Sequence, residues 1–277
     1  MEESNGNGNG KSRTKELLDK LKEGIQAVKS SEEFKAYLNA LSLFHAYSFN
    51  NCMLIAIQRP NATHVAGFRT WQKMNRFVCK GEKGIAIFAP MRVKRKDEKI
   101  EGEEDYITLF RVVHVFDVSQ TEGEPLVKPP REEIQDTHKE LLQQLVAFAE
   151  IKGIKVSFQN LANVEGISLN GQVAIHEERN PTEQALILVH ELAHELIHWD
   201  PEKRPELTKE QKELEAESVA YVVSESVGLQ NNSDKYLALY HKSYDLQLSL
   251  EIIHSAANEI LSAIHPVNKL EQQQEAA

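Results

Sequence analysis

Two cysteines in 277 residues are too few for a disulfide framework, and Cys52 and Cys79 stand in no metal-binding spacing. No apolar run approaches the roughly 18 residues that a membrane span needs, which excludes a helical membrane protein. Residues 1–10 lack the charged and apolar regions of a secretory signal. They are acidic and rich in Gly and Asn, and are expected to be disordered. These absences point to a cytoplasmic chain with no membrane partner. What is present is ordinary for a folded protein: 41% hydrophobic and 27% charged residues. The length holds one large domain or two modest ones.

Acidic residues are unevenly distributed. Residues 1–130 carry 20 Lys/Arg and 17 Asp/Glu, a balance of +3, and the rest carry 12 and 25, a balance of −13. Residues 59–96 hold ten basic residues against one acidic residue, Glu82. Such asymmetry suggests two modules with different partners. Pro125, Pro129 and Pro130 mark the expected linker, followed by a predicted helix over 131–151.

The acidic module contains His190-Glu191-Leu192-Ala193-His194. Residues four apart share a helix face, so both imidazoles can reach one metal ion, with Glu191 on the neighbouring face. This is the H-E-x-x-H pattern of zinc metallopeptidases. Asn180 at N-cap, Pro181 at N1 and Glu183 at N3 predict a well-capped helix around it. A second helix is expected from Thr208, with Gln211 completing a capping box and Gly228 ending it. Glu213 and Glu217 share a face of that helix. Glu213 is expected as the third zinc ligand, with Glu215 as the alternative. Glu217 is expected to orient a ligand histidine through its other ring nitrogen. An acidic run of this kind can also be a solvated helix face.

H-E-L-A-H followed by E-x-x-A-[acidic/Asn]-x-x-A resembles the ImmA/IrrE-type zinc metallopeptidases, a gluzincin-like group. The resemblance implies Glu213 as ligand and Glu217 at the family's Asp/Asn position. His198 lies four residues beyond His194 and does not fit the metzincin spacing, so a structural or ligand-supporting place is expected for it. His176, Tyr221 and His241 are candidates for stabilising an oxyanion. The implied chemistry is hydrolysis of a peptide bond in a protein partner of unknown identity. One Zn2+ would lower the pKa of its bound water to about 7, and Glu191 would serve as general base.

The basic segment interleaves its cations with Phe68, Trp71, Phe77 and Phe88, the ingredients of a sequence-tolerant single-strand binder. Strands are expected near 84–89 and 106–113, and helices over 15–29 and 32–48, with Ser30 and Glu33 as a capping pair. Four blocks resemble the N-terminal domain of ArdC-type antirestriction proteins: Tyr47-Ser48-Phe49-Asn50-Asn51, Gly67-Phe68-Arg69-Thr70-Trp71, Lys80-Gly81-Glu82-Lys83-Gly84-Ile85 and Val115-Phe116-Asp117-Val118-Ser119-Gln120-Thr121. The resemblance implies single-stranded DNA as partner and a metallopeptidase-like domain downstream. Arg69, Trp71, Lys73, Arg76, Lys80 and Lys83 are the expected DNA contacts, although Trp71 fits a core position equally well. Asn50 and Gln120 fit a role in orienting backbone.

The expected fold class is α+β. An ArdC-like single-stranded-DNA-binding domain over 12–127 precedes a mainly helical, zincin-like metallopeptidase domain with a small sheet over 128–268. Disordered tails are expected at 1–11 and 269–277. The C-terminal apolar spacing from Leu237 to Ile264 predicts a helix pair or one bent helix on the peptidase core. Two functions fit: a DNA-binding zinc metallopeptidase of antirestriction type, or a non-catalytic antirestriction protein that protects single strands and keeps a structural zinc site.

Overall fold

The computed structural model describes residues 6–27, 31–94, 106–126, 137–162, 164–199, 207–229 and 245–264. Ser30 of the expected capping pair, Pro129, Pro130, Arg95, Lys96, Leu237, His241, His265 and the tail 269–277 lie outside them. The expected mixed α and β class holds: helices and short sheets alternate along the chain. Contacts divide it into two units: 6–27 with the described residues of 50–126, and 31–49 with the described residues of 137–264.

The first unit contains helices α1 (Gly6–Gln26), α3 (Phe49–Gln58) and α4 (Phe68–Lys73), and strands β1 (Val65–Gly67), β2 (Arg76–Val78), β3 (Ile85–Lys94), β4 (Tyr106–Asp117) and β5 (Thr121–Gly123). Helix α1 begins inside the stretch expected to be disordered. Its Leu17, Leu21 and Ile25 recur every fourth residue and are buried, forming one apolar stripe. Strands β1, β4 and β3 form an antiparallel sheet in that order, and β2 pairs with β5. Strand β3 lies at an edge, where free backbone groups invite another strand. Helix α3 covers part of it. Asn51 exchanges two hydrogen bonds with the backbone of Phe88, and Gln58 does the same with Ala86.

Three of the four ArdC-like blocks interlock. Trp71 Nε1 donates to Phe116 O at 2.9 Å. Asp117 Oδ1 accepts from the backbone of Thr63 and His64, and its Oδ2 from Ser119 N. Gln120 is buried; its Oε1 accepts from Asp117 N, and its Nε2 donates to Glu82 Oε2 and Lys83 O. These motif residues satisfy buried backbone groups, which is costly to leave undone.

The second unit contains α2 (Ser31–Leu43), α5 (Thr137–Ile151), β6 (Lys155–Gln159), β7 (Gly166–Ser168), β8 (Gln172–His176), α6 (Pro181–Ile197), α7 (Lys209–Ser226) and α8 (Leu246–Ile264). Strand β8 is central, parallel to β6 and antiparallel to β7. Helix α6 contacts α5, α7, α8, β7 and β8. Residues 214–224 of α7 are all buried, so this helix runs through the interior of the unit rather than along its surface. Helix α2 belongs here: Tyr221 Oη donates to Asn39 Oδ1 at 2.6 Å and Ser226 Oγ to Ser42 O at 2.8 Å.

Candidate metal centre and basic surface

The capping of α6 follows directly from its sequence. Asn180 Oδ1 accepts from Glu183 N, Glu183 Oε2 accepts from Asn180 N, and Pro181 occupies the first turn. Thr208 and Gln211 cap α7 in the same way, and Gly228 follows its end at φ +77°. With both helices started at these positions, His190 and His194 face Glu213. One ligand atom from each of the three lies within 4.8 Å of the others. Among the described residues this is the one cluster of its kind.

The Nε2 atoms of His190 and His194 are 3.1 Å apart, and lie 3.5 and 3.7 Å from Glu213 Oε2. Two imidazole nitrogens and a carboxylate oxygen converging in this way form a donor set suited to zinc. The nitrogens facing away are also engaged. His190 Nδ1 lies 3.1 Å from Glu217 Oε2, and His194 Nδ1 lies 2.9 Å from His198 Nδ1. His198 Nε2 lies 3.2 Å from Glu215 Oε2, and both side chains are nearly inaccessible. Glu215 thus stands outside the ligand cluster, and the acidic run of α7 is interior rather than a solvated face.

Burial opposes charge on His190, but Glu213 and Glu217 outweigh it and hold its pKa at about 9. Glu213 is correspondingly held far below the usual carboxylate range by His190 and His194. Burial pushes Glu191 upward, the direction expected of a carboxylate that takes up a proton. Burial lowers His198 despite its hydrogen bond to Glu215.

These residues open onto a cleft of about 800 Å3. Its walls include Ile167 and Ser168 of β7, Leu186 and Ile187 of α6, Trp199, and Lys209 and Lys212 of α7. Strand β7 approaches α6 closely because residue 166 is glycine: a Cβ there would sit 2.7 Å from Glu191 Oε1. Ser168 Oγ donates to Glu195 Oε1 and accepts from Trp199 Nε1, both at 2.6 Å, which holds the half-exposed indole at the rim. None of Gly166, Ser168, Glu195 and Trp199 was singled out by sequence, since no spacing rule places β7 against α6. His176 is buried at the end of β8 and accepts from Glu178 N through Nδ1; Tyr221 is tied to Asn39. Neither lines the cleft.

On the first unit, Arg69, Lys73, Lys80 and Lys83 are exposed. Trp71 and Arg76 correct the expected DNA contacts. Trp71 is fully buried, and Arg76 lies against its ring at 5.9 Å while donating to Thr121 and Glu124. Both side chains are committed to the interior, so neither offers its face to a strand of DNA. The exposed aromatics are instead Phe68, Phe77 and Phe110. Among the described residues no helix is long and apolar enough to cross a membrane.

Two family profiles match different parts of this chain. Residues 9–116 match the profile of the N-terminal domain of anti-restriction factor ArdC, and residues 146–224 that of the IrrE N-terminal-like domain. An uncharacterised protein of Bacillus anthracis is 26% identical over 96% of this chain and 54% of its own length. The chain therefore spans about half of that relative. The Mn(II)-bound crystal structure of the antirestriction protein ArdC from the R388 plasmid shares the fold. It has a TM-score of 0.52 at 15% identity, covering 91% of this chain and 99% of its own. The metal-free structure of the same protein gives 0.46 at 18% identity, over 82% and 85%.

Proposed function

Because this chain joins an ArdC-type N-terminal domain to an IrrE-like domain, we propose that it is an antirestriction-type, metal-dependent peptidase that also binds single-stranded DNA. The observation that carries the reading is the convergence of His190, His194 and Glu213 beside Glu191 at the floor of an open cleft. The three convergent residues would hold one divalent ion, and the mixed nitrogen and oxygen donor set favours zinc. The R388 relative was crystallised with Mn(II), which supports a divalent metal at the coarser level. When bound, such an ion supplies Lewis acidity toward a carbonyl oxygen and makes water a better nucleophile at neutral pH.

The remaining work falls to the chain itself. Strand β7 is an edge strand, so an extended substrate segment can pair with its free side. Leu186 and Ile187 offer an apolar wall, and Trp199 a flat one. Glu191 takes the proton of the attacking water on its carboxylate and delivers it to the leaving amine. Burial, which raises its affinity for that proton, suits it to both steps. Glu217 orients His190 through Nδ1.

For DNA, the support is the exposed set Arg69, Lys73, Lys80 and Lys83, together with Phe68 and Phe77. Cations track phosphates and aromatic faces stack on bases.

The direct test is Glu191→Gln, assayed on a peptide library beside the wild type, with zinc loading measured on both. Loss of cleavage with zinc retained is the expected result. Equal cleavage by the variant, or no cleavage of any library member by zinc-loaded wild type, would remove the catalytic reading.

A further inference from the structure

We propose that His198 and Glu215 form a positioning relay that aims the metal-binding nitrogen of His194, an inference resting on the metal-site reading above. An imidazole offers a metal one nitrogen, and the hydrogen bond on the other decides which. For His190 the partner in that hydrogen bond is Glu217. For His194 the corresponding atom, Nδ1, meets a second imidazole, His198 Nδ1, at 2.9 Å.

Two ring nitrogens bond only when one carries a hydrogen and the other a lone pair. The direction is set at the far end. Glu215 has a fully buried side chain, and its Oε2 lies 3.2 Å from His198 Nε2. In the proposed relay Glu215 accepts, so that His198 Nε2 carries the hydrogen and His198 Nδ1 the lone pair. His194 Nδ1 must then donate. The lone pair left to His194 is on Nε2, the atom 3.1 Å from His190 Nε2 and 3.7 Å from Glu213 Oε2. The reverse arrangement would put hydrogen on His194 Nε2 and close it to a metal. Of the two polarities this chain can adopt, only the one enforced by an accepting Glu215 is compatible with a metal centre.

The relay also gives the interior of α7 a purpose. Glu213, Glu215 and Glu217 lie within about five residues of the helix, yet face three different partners. Glu213 faces the ion site, Glu217 holds His190, and Glu215 reaches His194 through His198.

The test uses the full chain. Zinc affinity is read by competition with a chromophoric chelator, and the His194 tautomer by long-range 1H–15N NMR of the metal-free wild type. The wild type is expected to carry its hydrogen on His194 Nδ1. His198→Phe and Glu215→Leu are expected to weaken zinc binding by about 10–100-fold, with Glu215→Gln, which keeps an acceptor oxygen, within about threefold of wild type. A hydrogen on His194 Nε2, or folded His198→Phe with zinc affinity within about twofold of wild type, overturns the relay. The NMR result decides by itself if the variants fail to fold. A wild type that binds no zinc overturns the metal-site reading along with the relay. Zinc binding with the opposite tautomer overturns the relay alone.

Discussion

Gly166 sets how closely β7 can approach α6. A Cβ on it would fall 2.6 Å from Ile187 Cγ2 and 2.7 Å from Glu191 Oε1, closer than packed atoms allow. Glu191 carries the proton in the proposed reaction, and the three atoms nearest that Cβ belong to Ile187 and Glu191 rather than to His190, His194 or Glu213. Gly166→Ala should therefore separate catalysis from metal binding. Zinc affinity is expected within about threefold of wild type and kcat lower by about 100-fold, the scale of a 1 Å misplacement. Peptide cleavage and zinc titration on the same preparation check this; a fall in both together would place the damage in the metal site. Asp117 makes a different, purely structural prediction. Burial alone would raise its pKa, but hydrogen bonds from Ser119, His64 and Thr63 bring it below the ordinary carboxylate value. A carboxylate with a depressed folded pKa stabilises the fold above its unfolded value, about 3.9, and that stability is lost as pH falls through the folded one. Asp117→Asn puts a donor group against the Ser119 N–H and is expected to cost about 1–3 kcal/mol near neutral pH. The difference from wild type should shrink in urea melts run at successively lower pH. A difference constant from pH 7 to pH 2 would refute this account of Asp117.

At the scale of elements, what could be read from sequence was local, and what could not was long-range. The starts of α6 and α7 were legible because a capping box closes within four residues. The shared face of Glu213 and Glu217 was legible because it follows from helix periodicity. Strand β7 lining the cleft was not legible, since its place depends on pairing with β8 and packing on α6. The partner of α2 was hidden for the same reason: Asn39 and Tyr221 are 182 residues apart. Glu215 shows the limit most clearly. Periodicity turns it away from Glu213 on α7, and nothing within that helix indicates that His198 waits on its other side. Trp71 and Arg76 were misassigned because aromatic and basic residues interleave in a core that holds an arginine as readily as on a nucleic-acid surface. The legible part carries its own prediction. Asn180→Ala removes the side-chain acceptor for Glu183 N and should cost about 1 kcal/mol. For a unit of this size, that lowers the thermal midpoint by about 2–4 °C. An unchanged midpoint would mean that tertiary packing alone fixes where α6 begins.

Across the whole molecule, charge divides more sharply than sequence length does: a balance of +3 before residue 131 and −13 from there on. An acidic unit repels a polyanion, so any attraction to DNA has to come from local cations on the first unit. Lys80 and Lys83 flank the Gly81 turn, where φ is +94°, and both are exposed. Reversing both, Lys80→Glu with Lys83→Glu, should weaken binding of a fluorescent 20-nucleotide oligothymidine. It should also flatten the dependence of log K on log salt by about 0.7 for each phosphate that the variant no longer neutralises. Phe77→Ala tests stacking separately. If a base rests on that ring, binding weakens by about 1–3 kcal/mol while the salt slope stays the same. An unaltered affinity in the lysine double variant would take the DNA surface elsewhere. If the chain has the proposed antirestriction role, the same variants decide how each unit contributes to protection of DNA. If protection works by covering the strand, it follows oligonucleotide affinity and survives Glu191→Ala. If it works by proteolysis, Glu191→Ala abolishes it while leaving affinity intact. Protection abolished in the lysine variant and fully kept in Glu191→Ala would assign that role to the basic unit alone, and leave the metal centre needing a substrate of another kind.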